Sequence, residues 1–305
     1  MIRRAVLAGV VAASLTAAVT AQVYRGGTDL VLLSVTVTDP AGRHVGGLVR
    51  EDFRVYEDGV LQEISHFSGQ PSPIALSLLI DTSTSMDQNS KMAMAQQAAS
   101  GFISRLGPAD VAQVMDFDNQ TKVLAPFTGD KAALDLALKQ MKAGGSTSLY
   151  NAIYTALTEL RRVRGQFGTE PRRQAIILLS DGEDTSSIVP SEDVIDLARR
   201  SEVIIYAIAI VAKGSTPTRA WTEAEFVLRS LTRDTGGRVF IAPEPQQLAA
   251  IYGQVAEELA NQYTVAYMST NGKKDGTWRK ISMQVLKGDV TPRTRAGYYA
   301  AAARK

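Results

Sequence analysis

The sequence predicts an α/β protein with a doubly wound, mostly parallel sheet at its centre and a small β-rich domain formed by its N- and C-terminal flanks. In residues 73–260, short apolar runs alternate with segments of helical spacing, which is typical of a parallel sheet with helices on both faces. On either side of that range, the patterned segments are strand-like. The chain has 305 residues, a length that suits about two domains.

The N-terminal flank, residues 22–72, is predicted to form strands joined by turns. Residues 30–38 alternate in polarity and are rich in Val, Leu and Thr, which favours a strand. Two shorter strands, residues 53–56 and 61–67, are joined through Asp58-Gly59. An Asp-Gly pair between such runs favours a tight hairpin.

The central range, residues 73–260, is predicted to alternate strands and helices. Its strands are short continuous apolar runs, as expected for strands buried on both faces, and its helices place apolar residues along one stripe. The predicted strands are residues 74–80, 111–117, 123–127, 175–179, 203–211 and 238–242. The predicted helices are residues 91–106, 131–141, 149–163, 194–200, 223–233 and 246–260.

The C-terminal flank, residues 261–305, is again predicted to contain only strands, at residues 263–268, 278–285 and 290–299. Asn271-Gly272 supplies a turn signal between the first two. Because neither flank contains a helix, our hypothesis is that the two flanks pair in one sheet and that the central domain is inserted between them.

Residues 1–21 have the design of a secretory signal. Arg3 and Arg4 precede an apolar, alanine-rich stretch, and Val19-Thr20-Ala21 presents small residues to a signal peptidase. We expect cleavage after Ala21 and a secreted or periplasmic protein. The alternative is an uncleaved anchor, but the apolar stretch is short of the roughly 20 residues that a spanning helix needs. We expect no membrane span after cleavage.

Composition excludes several classes of site. The chain has no cysteine and two histidines, which argues against disulfides, thiolate ligands, a cysteine nucleophile and a multi-histidine zinc site. It has 33 basic and 31 acidic residues, and loss of the signal removes two arginines, so the mature chain is neutral by formal count. A neutral chain argues against a nucleic-acid partner, which requires a surplus of Lys and Arg.

Polar clusters follow the ends of predicted central segments. Asp81-Thr82-Ser83-Thr84-Ser85 follows the first strand, and Ser180-Asp181-Gly182-Glu183 follows the strand at 175–179. Gly144-Gly145-Ser146-Thr147-Ser148 leads into a helix. Ligands of open α/β sheets bind at the carboxyl ends of strands, so we expect these clusters to meet there.

The chemistry of these clusters indicates a site for a hard cation. Two carboxylates and several hydroxyls suit Mg²⁺, Mn²⁺ or Ca²⁺, all of which prefer oxygen ligands. Hydroxyl oxygens are neutral, so a bound ion would keep positive charge with which to attract an outside carboxylate. Capping of the following helices is the alternative role for such residues.

The motif resembles the metal-ion-dependent adhesion site of von Willebrand factor A domains, whose fold is Rossmann-like. The resemblance covers about residues 73–260, and it implies that Asp81, Ser83, Ser85, Thr147 and Asp181 hold a divalent cation, with Mg²⁺ the first choice. In that family the hydroxyls bind the ion directly or through water, the aspartates often act through water, and a Glu or Asp of a protein partner completes the coordination. Ser146, adjacent to Thr147, is the rival ligand.

The flanks resemble a narrower group of secreted bacterial proteins related to this domain and best known from Acidobacteria. The resemblance is carried by Val37-Thr38-Asp39-Pro40-Ala41-Gly42-Arg43, Glu51-Asp52-Phe53, Val55-Tyr56-Glu57-Asp58-Gly59 and Gly297-Tyr298-Tyr299. It implies a shared arrangement of domains more than a function.

The function expected from the sequence is a binding or adhesion module that is not an enzyme. One alternative is a structural envelope protein whose metal stabilises the fold. Another is a Mg²⁺-dependent, phosphatase-like hydrolase, in which an Asp after the first strand is the nucleophile. Those hydrolases need a second acid two residues later, and this chain has Ser83 there.

Overall fold

The computed structural model describes residues 30–166, 172–211 and 219–302. The expected signal segment, residues 1–21, lies outside these ranges. The strands are β1 (Leu30–Thr38), β2 (Phe53–Glu57), β3 (Val60–Gln62), β4 (Ile64–Ser68), β5 (Ile74–Asp81), β6 (Val111–Phe117), β7 (Thr121–Thr128), β8 (Arg173–Ser180), β9 (Val203–Ile210), β10 (Val239–Ala242), β11 (Tyr263–Met268), β12 (Trp278–Val285), β13 (Thr291–Arg293) and β14 (Gly297–Tyr299). The helices are α1 (Lys91–Ser104), α2 (Lys131–Gln140), α3 (Leu149–Val163), α4 (Ser191–Arg200), α5 (Arg219–Thr235) and α6 (Leu248–Ala260).

The central sheet has the order β10-β9-β8-β5-β6-β7. Its strands are parallel except β7, which runs antiparallel to β6. Every residue of β5 and β8 is buried, in agreement with the continuous apolar runs of the sequence. Helices α1, α2 and α6 pack on one face and α3, α4 and α5 on the other, each set with its own apolar core. The predicted doubly wound, mostly parallel α/β class is therefore confirmed.

The flanks form two packed four-stranded sheets, with orders β13-β1-β11-β4 and β14-β12-β2-β3. Each sheet takes two strands from the N-terminal flank and two from the C-terminal flank. Leu33, Val55, Val265 and Ile281 belong to the apolar core between the sheets. The prediction of a β-rich domain built from both flanks is confirmed, and the two flanks pair with each other as expected, but in two sheets and not in one.

Two segments that the sequence presents as single strands are each divided. Residues 61–67 separate into β3 and β4 at Glu63, and residues 290–299 separate into β13 and β14. In both cases the first strand pairs in one sheet and the second in the other. The chain crosses between the sheets at these breaks, so continuous pairing is lost there although the residue types still favour strands.

The hairpin between β2 and β3 is formed as the Asp-Gly pair predicts. Glu57 pairs with Val60, and Asp58 and Gly59 between them have φ of 48° and 84°. Positive φ at both central residues is the requirement of a type I′ turn. This turn holds Glu57 in the core between the sheets, where its side chain faces Arg279 at 3.2 Å.

The parallel pairing brings the ends of two central strands together. Ile80 of β5 is opposite Leu179 of β8, so Asp81 and Ser180 end adjacent strands at the carboxyl edge. In the described part of the chain, no helix combines the length and the apolar character needed to cross a bilayer.

Candidate metal site

Asp81 is the last residue of β5 and is wholly buried. Its Oδ1 accepts a hydrogen bond from the Ser83 backbone N–H at 2.8 Å, and its Oδ2 accepts one from Ser180 Oγ at 2.6 Å. Burial raises the pKa of Asp81 to about 6. The nearby charge of Asp181 also raises the pKa, whereas the hydrogen bonds from Ser180 and Ser83 lower it. The position therefore favours a positive group nearby when the carboxylate is ionised.

Ser83, Ser85 and Asp181 are joined by hydrogen bonds between their side chains. The two serine Oγ atoms are 3.0 Å apart, and Ser85 Oγ donates to Asp181 Oδ1 at 2.7 Å. Ser83 and Ser85 stand two residues apart at the start of a 3-10 turn, which directs both hydroxyls to one side. The structure thus brings the first and second polar clusters together.

The third cluster is attached to the first by its backbone. Gly144 N–H donates to the Thr82 carbonyl at 2.7 Å, and the Gly145 carbonyl accepts from both the N–H and the Oγ1 of Thr84, at 3.1 and 2.9 Å. Gly145 has a φ of 83°, which glycine adopts without the penalty that a side chain brings. The hydroxyl of Thr84 therefore ties the two loops together.

Thr147 and Ser146 differ in where their side chains lie. Thr147 is 5% exposed, and a Cβ built on Gly182 would lie 3.5 Å from Thr147 Oγ1 and 4.0 Å from Ser85 Oγ. The Thr147 hydroxyl thus faces the same space as Ser85, beside the loop that carries Asp181. Ser146 is exposed, and its backbone N–H donates to Asn119 Oδ1.

Lys91, which the sequence analysis did not select, contacts this cluster. Its Nζ donates to Asp181 Oδ2 and, at 3.3 Å, to the Ser85 carbonyl. The side chain of Asp181 has no exposed surface, and that of Lys91 is 17% exposed. The sequence does not identify Lys91 as a site residue, because it does not show in which direction a long side chain at the start of a helix points.

Nearby acids serve other contacts. Asp184 Oδ1 accepts from Ser187 Oγ and from the Tyr150 N–H in the first turn of α3, which is a capping role. Asp87 is exposed. Within residues 30–166, 172–211 and 219–302, no group of three or more His, Asp or Glu side chains is arranged to hold a metal.

The five residues predicted to bind a metal offer only oxygen atoms: the carboxylates of Asp81 and Asp181 and the hydroxyls of Ser83, Ser85 and Thr147. Such a set fits a hard divalent cation better than a soft one.

Residues 76–183 match the family model described as the von Willebrand factor type A domain. Curated relatives include UPF0353 proteins of Mycolicibacterium paratuberculosis, 26% identical over 221 residues, and of Nocardia farcinica, 23% identical over 242 residues. These alignments cover 68% and 70% of this chain and 65% and 69% of the relatives, so the chain spans about two thirds of their length.

Solved structures share the fold at low sequence identity. A von Willebrand factor type A protein from Catenulispora acidiphila has a TM-score of 0.54 and 15% identity, covering 91% of this chain and 76% of that one. The vWF domain of the type V pili tip protein Mfa5 from Porphyromonas gingivalis has a TM-score of 0.50 and 15% identity, covering 61% and 95%. Proximal thread matrix protein 1 from the mussel byssus, solved with a zinc-occupied MIDAS motif, has a TM-score of 0.52 and 17% identity, covering 67% and 49%.

Domains of this type are typically protein-interaction modules. The family match covers β5, β6, β7 and β8, with the polar clusters that follow β5 and β8 and that precede α3. Residues 76–183 therefore belong to a von Willebrand factor type A domain.

Proposed function

We propose that this protein is a binding or adhesion module that captures an acidic side chain of a protein partner through a divalent cation. Asp81, Ser83, Ser85, Thr147 and Asp181 would hold the cation, with Mg²⁺ preferred and Mn²⁺ or Ca²⁺ as alternatives. The observation that carries the proposal is the convergence of these oxygens at the carboxyl edge of the central sheet. When bound, the ion supplies a Lewis-acidic centre for a ligand carboxylate.

The residues have separate roles in this proposal. Asp81 accepts the Ser83 N–H and the Ser180 hydroxyl, so it orients the loop that carries the two serines. The serine and threonine hydroxyls contribute neutral oxygens and leave the site with a positive surplus when a divalent cation is present. That surplus favours a Glu or Asp of the partner over a neutral side chain.

The hydrolase alternative has less support. A nucleophilic aspartate must reach its substrate, whereas Asp81 is wholly buried and both of its oxygens accept hydrogen bonds. Ser83 stands where such hydrolases have their second acid. The protein is therefore proposed to bind and not to catalyse.

Calorimetric titration of the metal-stripped protein with Mg²⁺ and Mn²⁺ tests the site. We expect saturable binding to wild type and its loss in Asp81→Ala and Ser83→Ala, while Asp87→Ala, which removes an exposed acid on the same loop, keeps it. Circular dichroism must show that all the variants are folded. Equal binding by wild type and Asp81→Ala would place the metal elsewhere and refute the proposed site.

Capture of a partner separates the binding module from a structural protein with a fold-stabilising metal. Immobilised protein is exposed to envelope proteins from the source organism in Mg²⁺ or in chelator. We expect Mg²⁺-dependent capture that is lost in Ser83→Ala and after carbodiimide has blocked the carboxyl groups of the captured proteins. If the amount of captured protein is the same in chelator as in Mg²⁺ and the same after carbodiimide treatment, the structural role is favoured.

We also propose that the protein acts outside the cytoplasm, as a secreted or periplasmic protein. The support is the signal-like pattern of residues 1–21. N-terminal sequencing of the exported protein should then begin at Gln22.

A further inference from the structure

Lys91 occupies a particular place relative to the two buried carboxylates. Its ammonium contacts Asp181 Oδ2, while Ser85 Oγ donates to the other oxygen of the same carboxylate. In the described part of the chain, Lys91 is the one cation that forms an ion pair with Asp81 or Asp181. The positive charge that faces the Asp181 carboxylate therefore comes from this side chain.

The backbone before α1 positions this lysine. Asn89 and Ser90 have φ of 52° and 58°, and this left-handed pair separates the preceding 3-10 turn from the helix. Lys91 is the first helical residue after the bend. Its N–H donates to the carbonyls of Met86 and Gln88, so the base of the side chain is held beside the loop of the site.

We propose that Lys91 is an internal cation that pairs with Asp181 in the metal-free protein and competes with the divalent ion for that carboxylate. The inference rests on the proposed metal site and adds a determinant of its affinity. A divalent ion brings two charges to the carboxylates where the ammonium brings one. The flexible side chain of Lys91 is already 17% exposed, so the ammonium has a route towards solvent when the ion binds.

This arrangement has two consequences for the chain. The site keeps its shape without metal, because Asp181 retains a charged partner. Metal binding is correspondingly weaker, since the Lys91–Asp181 contact must be broken or must share the carboxylate with the ion. Removal of the lysine charge should therefore tighten metal binding and destabilise the metal-free protein.

The test compares wild type with Lys91→Met and Lys91→Arg by Mn²⁺ calorimetry and by thermal unfolding in chelator and in saturating Mn²⁺. We expect Lys91→Met to bind Mn²⁺ about 10-fold more tightly, because one nearby positive charge is removed. Lys91→Arg keeps the charge and should bind no more tightly than wild type. Lys139→Met, which removes a surface lysine paired with Asp135, is the control for net charge.

The stability readout distinguishes competition from a purely structural role. We expect Lys91→Met to melt below wild type in chelator and to regain the difference in saturating Mn²⁺, because tighter binding gives more stabilisation. Lys91→Gln is the second neutral variant if the methionine variant does not fold. Unchanged or weaker Mn²⁺ affinity in the neutral variants, with binding to wild type intact, would overturn the role of Lys91 alone. Absence of Mn²⁺ binding in wild type and both neutral variants would overturn the metal site and this inference together.

Discussion

Thr147 and Ser146 are adjacent residues with similar side chains in different surroundings. Thr147 is 5% exposed and faces Gly182 and Ser85, whereas Ser146 is exposed. Sequence alone leaves both as candidate ligands, because a Gly-Gly pair followed by two hydroxyl residues does not specify which one turns inward. The burial of Thr147 supports assigning the ligand role to it.

Substitution of these two residues gives a direct comparison. We expect Thr147→Ala to weaken Mn²⁺ binding at least about 10-fold, because an inward-facing hydroxyl oxygen is lost. Ser146→Ala should leave the affinity close to that of wild type. Calorimetry on the two folded variants checks this, and a larger loss in Ser146→Ala would reverse the assignment.

Other residues of the site show which contacts a sequence can predict. Asp81 and Asp181 are predictable because they lie at the ends of strands that are adjacent in the sheet. Ser180 belongs to a predicted polar cluster, but its hydrogen bond to Asp81 is not predictable, and neither is the contact of Lys91 with Asp181. Lys91 begins a helix and belongs to no recognisable spacing. Their roles depend on packing between elements that are distant in sequence.

At the scale of elements, the sequence predicts types better than boundaries. Six central strands and six helices occur where apolar periodicity places them, but β7 (Thr121–Thr128) and β8 (Arg173–Ser180) are each three residues longer than predicted. The ends of β7 are not predicted because it is an edge strand with exposed positions, and those of β8 because they are polar residues that are nevertheless buried. The sequence does not predict the break at Glu63 or the break between β13 and β14. Residue type indicates a strand but does not show where the chain passes from one sheet to the other.

The two flanking sheets are joined by a buried ionic cluster. Glu57 of β2 accepts from Tyr267 of β11 at 2.8 Å, from Tyr298 of β14 at 2.9 Å and from Ser269 at 2.6 Å, and it faces Arg279 of β12. Burial alone would raise the pKa of Glu57, but the hydrogen bonds and the Arg279 charge outweigh it and lower the pKa below 4.5. Its ionised form is therefore favoured by folding.

This cluster predicts an acid-dependent contribution to stability. Because the pKa of Glu57 is lowered on folding, its contribution is present above pH 4.5 and is lost as the pH falls below that value. Glu57→Gln should reduce the free energy of unfolding at pH 7 by about 3 kcal/mol, because Arg279 is left buried without its charged partner. Urea unfolding between pH 7 and pH 3 should show the difference from wild type narrowing with acidity.

A matched control is Glu63→Gln, which removes a carboxylate that is 92% exposed and 3.9 Å from Arg50. It should change stability by less than about 1 kcal/mol at any of these pH values. A constant difference between Glu57→Gln and wild type across the pH range would show that the ionisation of Glu57 is not linked to folding.

At the scale of the whole molecule, the domain plan follows from the positions of the patterned segments along the chain. Flanks without helices, on either side of an alternating centre, predict a β-rich unit that is interrupted by an α/β unit. The number of flanking sheets is not predictable in this way, because strands of the same composition pair equally well in one sheet or in two. β1 and β11 pair although they are separated by more than 200 residues, because both contribute apolar residues to the core that the two sheets share.

The insertion of the central domain between the two flanks also determines which contacts resist a pulling force. The chain leaves the flanking sheets after Ser68 and returns at Tyr263, and Ser68 is paired with Thr264 in the ladder between β4 and β11. A pulling force that enters through one flank and leaves through the other is transmitted across the ladders that join the flanks, which include this one, β1–β11 and β2–β12. Such a force does not need to pass through the central domain while these ladders hold. The proposed site at the carboxyl edge of the central sheet is therefore separated from tension that is applied between the two flanks.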